Sequence, residues 1–191
     1  MPKIALDARG TLSTARFNRN GRTRIADLTL GVLHSTESHD YPGVKDLGGV
    51  IQWWKNPSSG GSAHVVVDKD ANSAYAVSLL NTAPHVGGMN YCSVGIEQIG
   101  YAKFALKTWL GRDKQLRQTA RWMAYIFHEF GLPLQEAIVT RSGNVVRPGW
   151  TTHRALGALG LGTNHTDPGA FYPFKRVLNY AKWYAVHGWE D

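Results

Sequence analysis

Short apolar runs rich in valine and leucine alternate along this chain with longer stretches of helical spacing, and that alternation constrains the fold more than any other feature. A strand is expected from Leu28 to Leu33, ending on His34. Val44 to Lys55 has helical spacing, with Val44, Leu47, Ile51 and Trp54 on one face, and Asn56-Pro57-Ser58-Ser59-Gly60-Gly61 stops it. Ala63 to Asp68 and Ser73 to Val77 read as strands joined by the turn Lys69-Asp70-Ala71-Asn72. Val94 to Ile99 is another short strand. The clearest helix runs from about Arg112 to Phe130, with Leu116, Ala120, Met123, Phe127 and Phe130 at helical intervals, and Gly131 and Pro133 end it. Ala137 to Thr140 reads as one more strand. Pro173 to Val186 reads as a last amphipathic helix carrying Phe174, Leu178, Ala181 and Ala185. Strands interleaved with helices predict an α/β fold in a single domain, with a central mixed β-sheet flanked by α-helices.

The chain of 191 residues is long enough for one domain with a proper core. Residues 1–27, polar and holding Arg9, Arg16, Arg19, Arg22 and Arg24, read as an irregular N-terminal lead-in. No apolar run approaches the roughly 20 residues of a membrane span, and the N-terminus lacks a signal-peptide pattern. The expectation is a chain made in the cytoplasm that does not insert in a membrane, and a monomer. Cys92 is the single cysteine, so no internal disulfide can form. Lys and Arg outnumber Asp and Glu by 21 to 14, a formal charge of +7, which favours a polyanionic partner such as nucleic acid or a bacterial wall. The basic residues are dispersed and no helix-turn-helix, zinc-finger or RNP-like signature accompanies them, so nucleic acid is not expected as the primary partner.

Placement sorts the eight histidines. His39, His128 and His187 carry no pattern beyond that of surface or core residues. His34 lies at a strand end, His153 follows a Gly/Trp loop, and Asp167 sits in His165-Thr166-Asp167-Pro168-Gly169, where proline and glycine make a sharp turn. Two imidazoles and one carboxylate from distant parts of a chain suit a catalytic zinc, which uses three protein ligands and keeps its fourth position for water. Alone, such a selection is unspecific.

The order of segments, however, resembles that of the type-2 N-acetylmuramoyl-L-alanine amidases, which include bacteriophage endolysins and peptidoglycan-recognition proteins. Leu33-His34-Ser35-Thr36 resembles the first zinc-histidine motif. Ser62-Ala63-His64-Val65-Val66-Val67-Asp68 resembles a Ser-Ala-His strand, and Ala83-Pro84-His85-Val86-Gly87 a Trp-His-Ala-Gly turn with Pro84 in place of Trp. Asn90 with Ser93-Val94-Gly95-Ile96-Glu97 resembles the strand ending Gly-Ile-Glu. Thr152-His153-Arg154 and Thr166-Asp167-Pro168-Gly169 resemble the second and third ligand motifs. The likeness covers about residues 28–175.

The resemblance implies a zinc amidase catalytic domain over residues 28–191 that cuts the bond between N-acetylmuramic acid and L-alanine in bacterial peptidoglycan, as a phage lysis enzyme acting on the wall. It implies Zn2+ held by His34, His153 and Asp167, a catalytic carboxylate at Glu97, and substrate contacts at His64, His85 and Asn90. His165 stands where many members have lysine and is expected to stabilise an oxyanion or to orient Asp167.

Competing hydrolase patterns fail on single residues. His128-Glu129-Phe130-Gly131 opens like a His-Glu-x-x-His motif, but Leu132 replaces the second histidine. Gly60-Gly61-Ser62-Ala63 runs into His64 and lacks the closing glycine of a nucleophile elbow. One cysteine cannot supply a deaminase Cys-x-x-Cys pair. A Cys92–His153 amidase and a non-catalytic peptidoglycan-binding module remain as rivals. Cys92 precedes a strand rather than opening a helix that would lower its pKa, and all three ligand positions of the amidases are filled.

Overall fold

The computed structural model describes residues 28–39 and 45–188. The lead-in expected over residues 1–27, the expected helix position Val44, and residues 189–191 lie outside the described residues. Numbered in chain order, the strands are β1 (Leu30–Ser35), β2 (Val65–Val67), β3 (Ser73–Tyr75), β4 (Ser93–Gln98), β5 (Ile138–Val139), β6 (Val145–Arg147) and β7 (Gly149–Thr152). The α-helices are α1 (Lys45–Lys55), α2 (Leu106–Leu110), α3 (Asp113–Phe130), α4 (His153–Ala158) and α5 (Phe174–His187).

The central sheet has the order β3-β2-β4-β1-β7. β2, β4, β1 and β7 run parallel, while β3 returns antiparallel on β2, so the sheet is mixed as the sequence predicts. β5 and β6 pair apart from it. Strand alternation divides the side chains between two faces. Leu33, Val65, Val67, Val94 and Ile96 point to one face, where they pack with α3 and α5. Val66 and Ala74 meet Leu47, Ile51 and Trp54 of α1, and Leu30 and Val32 join Leu156 of α4. Helices therefore cover both faces, and no described helix is long and apolar enough to cross a membrane.

α3 follows its periodicity, with Gly131 at φ 69° closing the last turn by donating its N–H to the Phe127 carbonyl. Its buried face differs from the expected one. Leu116, Ala120 and Met123 are buried with Trp122, Ala124 and Ile126, whereas Phe127 stays 37% exposed at the edge and Phe130 only partly packs. On α5, Leu178 and Ala181 are buried with Val177 and Tyr184, while Phe174 and Ala185 lie at the margin.

One expectation is corrected outright. The Gly/Trp segment before His153, read as a loop, is strand β7, paired with β1 through Leu30–Leu33. The reason is packing across the pair. Trp150 is fully buried opposite Gly31, and a Cβ on Gly31 would overlap the indole ring. Glycine at position 31 admits Trp150 to the core, and the strand pairs as a consequence.

Candidate metal centre

Parallel strands bring three of the candidate residues to one end of the sheet. His34 is the penultimate residue of β1, Glu97 the penultimate residue of β4, and His153 follows directly on β7. His34 and Glu97 are register partners, so their side chains leave the same face side by side. Ligand sites of parallel α/β sheets sit at these carboxyl ends. Thr152 caps α4 by accepting the Ala155 N–H, which sets His153 at the first helical position.

Asp167 arrives from a loop held at several points. Its carbonyl accepts the Arg154 N–H at 2.7 Å, and the Gly169 N–H closes on Thr166 O at 2.9 Å. Gly169 has φ 97° and lies against the Ala102 carbonyl so closely that a Cβ would collide with it. Three residues beyond, Tyr172 donates its hydroxyl to Gln98 Oε1 at the end of β4.

The result is a buried triangle of donors. His34 Nδ1 lies 3.1 Å from His153 Nδ1 and 3.1 Å from Asp167 Oδ2, and His153 Nδ1 lies 3.2 Å from Asp167 Oδ1. Donors about 2.0–2.2 Å from a tetrahedral zinc stand roughly 3.3–3.6 Å apart, so the observed edges need only slight expansion. Asp167 Oδ1 adds a second observation: it is buried and no donor N–H is aimed at it, despite the nearby imidazole. A cation held there would satisfy that oxygen, and the two-nitrogen, one-oxygen donor set suits zinc. These residues fit the ion.

Electrostatics favour the ligand protonation states. Burial pushes the His34 imidazole below its ordinary value, against the raising influence of Asp167. Burial works against the charge of Asp167, yet the adjacent imidazoles of His153 and His34 hold its carboxyl well below the usual range. Glu97 is displaced the other way. Burial first, then the charges of Asp167 and Glu37, raise its carboxyl well above the ordinary value, and its buried Oε2 has no hydrogen-bond partner. Glu37 was not singled out by sequence. It takes φ 53°, and its Oε1 accepts both the Ser35 hydroxyl and the Ala102 N–H at 2.7 Å.

His165 lies over the open side, its side chain 61% exposed. Its ring stacks on His153 with centroids 4.9 Å apart, and its Nδ1 is 3.5 Å from Asp167 Oδ1. Thr163 was also missed by sequence, and nothing in its surroundings there marks it. Its hydroxyl lies 3.0 Å from His153 Nε2, on the side of that ring away from the triangle.

The three residues expected to contact substrate differ in their surroundings. His64 has no exposed surface; its Nδ1 accepts the Gly95 N–H and its Nε2 lies 3.0 Å from the Asn81 carbonyl. Asn90 is buried, and its side-chain oxygen accepts the backbone N–H of His85 and of Val86, holding the turn. His85 is half-buried between His34 and Ser93. His64 and Asn90 are thus buried in protein contacts, while His85 retains some exposed surface beside His34. Cys92 is also buried, in the apolar cluster with Leu30 and Val32, and its thiol donates to Met89 O, which removes the basis of the cysteine rival.

A parallel-sheet end on an α/β domain thus carries two imidazoles and a carboxylate that could hold a metal ion, beside a second, proton-hungry carboxylate. The sequence profile of the N-acetylmuramoyl-L-alanine amidases matches residues 25–170, and the chain belongs to that family. Among solved structures, Staphylococcus aureus hydrolase AmiA superimposes with TM-score 0.64 at 18% identity, covering 88% of this chain and 83% of that one. A mutant endolysin from Bacillus subtilis gives 0.60 at 15% identity, covering 88% and 93%. Apis mellifera PGRP-SA gives 0.56 at 14%, covering 84% and 90%. At these identities the likeness is one of fold. No curated protein matches the chain in sequence.

Proposed function

We propose that the protein is a zinc-dependent N-acetylmuramoyl-L-alanine amidase that serves as a phage lysis enzyme, made in the host cytoplasm and acting on the wall once released. Family membership supports hydrolysis of a peptidoglycan amide. The observation that carries the zinc reading is the buried triangle of His34, His153 and Asp167, with its unsatisfied carboxylate oxygen. When bound there, zinc supplies Lewis acidity, which makes water acidic near neutral pH and polarises a carbonyl.

The protein's own groups supply the proton traffic. Glu97 stands beside His34 with a carboxyl that binds protons more readily than usual, so it can take a proton from the attacking water and pass it to the leaving L-alanine nitrogen. His165 would donate a hydrogen bond to the oxyanion that develops at the carbonyl, a role supported by its exposure and its stacking on His153. The surplus of basic residues favours attachment to an anionic wall.

Mass spectrometry of peptidoglycan digests tests the bond cut. Free L-alanine amino termini and intact lactyl groups are expected, lost on treatment with a strong chelator and regained with zinc. Digestion that survives the chelator refutes the zinc reading, and cleavage between sugars or within the stem peptide refutes the amidase reading.

A further inference from the structure

The ring of His85 lies directly behind the metal-site face of His34. Its Nδ1 is 3.0 Å from His34 Nε2, and its Nε2 is 3.0 Å from the hydroxyl oxygen of Ser93. Ser93 has no exposed surface, and its hydroxyl donates to the Met89 carbonyl at 2.7 Å. A hydroxyl carries one proton, so an oxygen that donates to Met89 can only accept from His85. His85 Nε2 therefore bears the hydrogen. A neutral imidazole with a protonated Nε2 leaves its Nδ1 bare. That bare nitrogen accepts from His34 Nε2–H, which in turn leaves His34 Nδ1 bare. His34 Nδ1 is the atom of the donor triangle. Four groups are thus ordered by the one member that cannot change its role, a backbone carbonyl.

The competing arrangement shows what the order prevents. His34 could carry its proton on Nδ1 and share it with Asp167 Oδ2, 3.1 Å away. His34 Nε2 and His85 Nδ1 would then face each other as two lone pairs at 3.0 Å. Reversing His85 relieves that clash only if Ser93 turns its proton away from Met89, whose carbonyl then exchanges a 2.7 Å hydroxyl bond for the 3.5 Å contact of the Cys92 thiol, a weak donor. Packing holds the ring in place meanwhile. Asn90 accepts the His85 N–H, and Gly95 leaves the room the ring needs, because a Cβ there would stand 2.6 Å from His85 Nδ1.

We propose that Ser93 and His85 are positioning residues that favour the His34 tautomer with Nδ1 bare, against the pull of the Asp167 carboxylate on that nitrogen, so that the ligand atom is available and oriented for a cation. This rests on the metal reading of the proposed function. Partners behind a ligating histidine commonly change metal affinity by roughly 10–100-fold when removed.

Zinc affinity, measured by competition with a chromogenic chelator, tests the relay apart from activity. His85→Leu should lose roughly 10–100-fold in affinity. His85→Asn, whose side-chain oxygen can accept where Nδ1 does, should recover most of the loss. A His85→Leu protein that binds zinc as tightly as wild type overturns the relay, as does a His85→Asn protein no better than His85→Leu. Should His85→Leu not fold, nitrogen-15 NMR of the zinc-loaded wild-type protein decides the matter: a hydrogen on His85 Nε2 and a bare Nδ1 are expected, and the opposite tautomer overturns the inference. Ser93→Ala should blur that signature into a mixture of tautomers. A wild-type chain that binds no zinc at all fails the metal reading itself, and the relay with it, before any variant is made.

Discussion

Replacing Glu97 with glutamine should separate function from stability in opposite directions. Burial and the neighbouring charges of Asp167 and Glu37 raise the Glu97 carboxyl, so the folded protein binds its proton more tightly than the unfolded chain does. By linkage, that proton favours folding at low pH, and stability declines as pH rises from the unfolded value through the raised folded one. Above that window the folded protein carries a buried carboxylate oxygen without a partner, a defect of about 1–3 kcal/mol. Glutamine has no charge to bury, and its amide can donate toward the neighbouring carboxylates. Metal-free Glu97→Gln should therefore be more stable than metal-free wild type at pH 8 by about 1–3 kcal/mol, or roughly 2–4 °C of melting temperature per kcal/mol. The gap should close in acid, once wild-type Glu97 is protonated. Zinc should narrow it too, because a nearby cation favours the carboxylate. Turnover should fall by about 10²–10⁴-fold, the span of a lost general acid–base group. Thermal melts of both proteins at several pH values, beside dye release from labelled sacculi, give both readings. A variant less stable than wild type at pH 8, or one that keeps near wild-type turnover, would refute the reasoning.

Other outcomes follow from the same geometry. Cys92→Ser should leave wall lysis largely intact, since that side chain is buried in the cluster below β1; alkylation-sensitive, chelator-resistant lysis would show the contrary. His165→Ala should keep its zinc, because the ring is exposed and lies outside the donor triangle, yet lose roughly two or more orders of magnitude in kcat; metal analysis beside kinetics on a soluble muropeptide checks it, and full activity would leave His165 only its stacking on His153. Gly31→Ala should lower the melting temperature by the equivalent of about 1–3 kcal/mol or more, because its Cβ would overlap the Trp150 ring; an unchanged melt would mean that β7 can shift away freely. Binding to insoluble sacculi should weaken as salt rises, while hydrolysis of a small muropeptide should not, because only exposed charges are screened; equal sensitivity in both assays would remove the basic surface from wall attachment.

Much of the site was legible because its residues sit at element ends that the sequence marks. His34 and Glu97 terminate apolar strands, and Asp167 sits in a Pro-Gly turn, so type, neighbours and order all carried information. Direction was not legible. Nothing in Ala83-Pro84-His85-Val86-Gly87 says whether the turn opens toward solvent or folds back on β4. Asn90 decides it through two hydrogen bonds to the turn's own backbone, and Gly95 decides it by the space it leaves. β7 was hidden for a related reason. Four residues with glycine, tryptophan and two threonines have no periodicity to read, and the strand exists because Gly31, far away in sequence, makes room for Trp150. The exposed edge position of Phe127 likewise reflects where α3 lies against the sheet rather than its helical spacing.

The arrangement also explains why so much hydrogen-bonding machinery surrounds so few ligands. Glu97 and Asp167 stand close enough for one carboxylate to raise the proton affinity of the other, and Glu37 adds to it. Three acids in one corner of a half-buried site repel each other, and a protein without compensation would separate them or protonate them. Here each is held in place by bonds it does not control. Glu37 is tied to Ser35 and Ala102, Asp167 is fixed through Arg154 and the close approach of Gly169 to Ala102, and Glu97 is locked into β4 beside His34. In the proposed enzyme a divalent cation held by His34, His153 and Asp167 would offset that repulsion, while burial and the neighbouring charges keep the proton affinity of Glu97 raised. The three acids, the two imidazoles and the bonds that hold them are therefore coupled electrostatically.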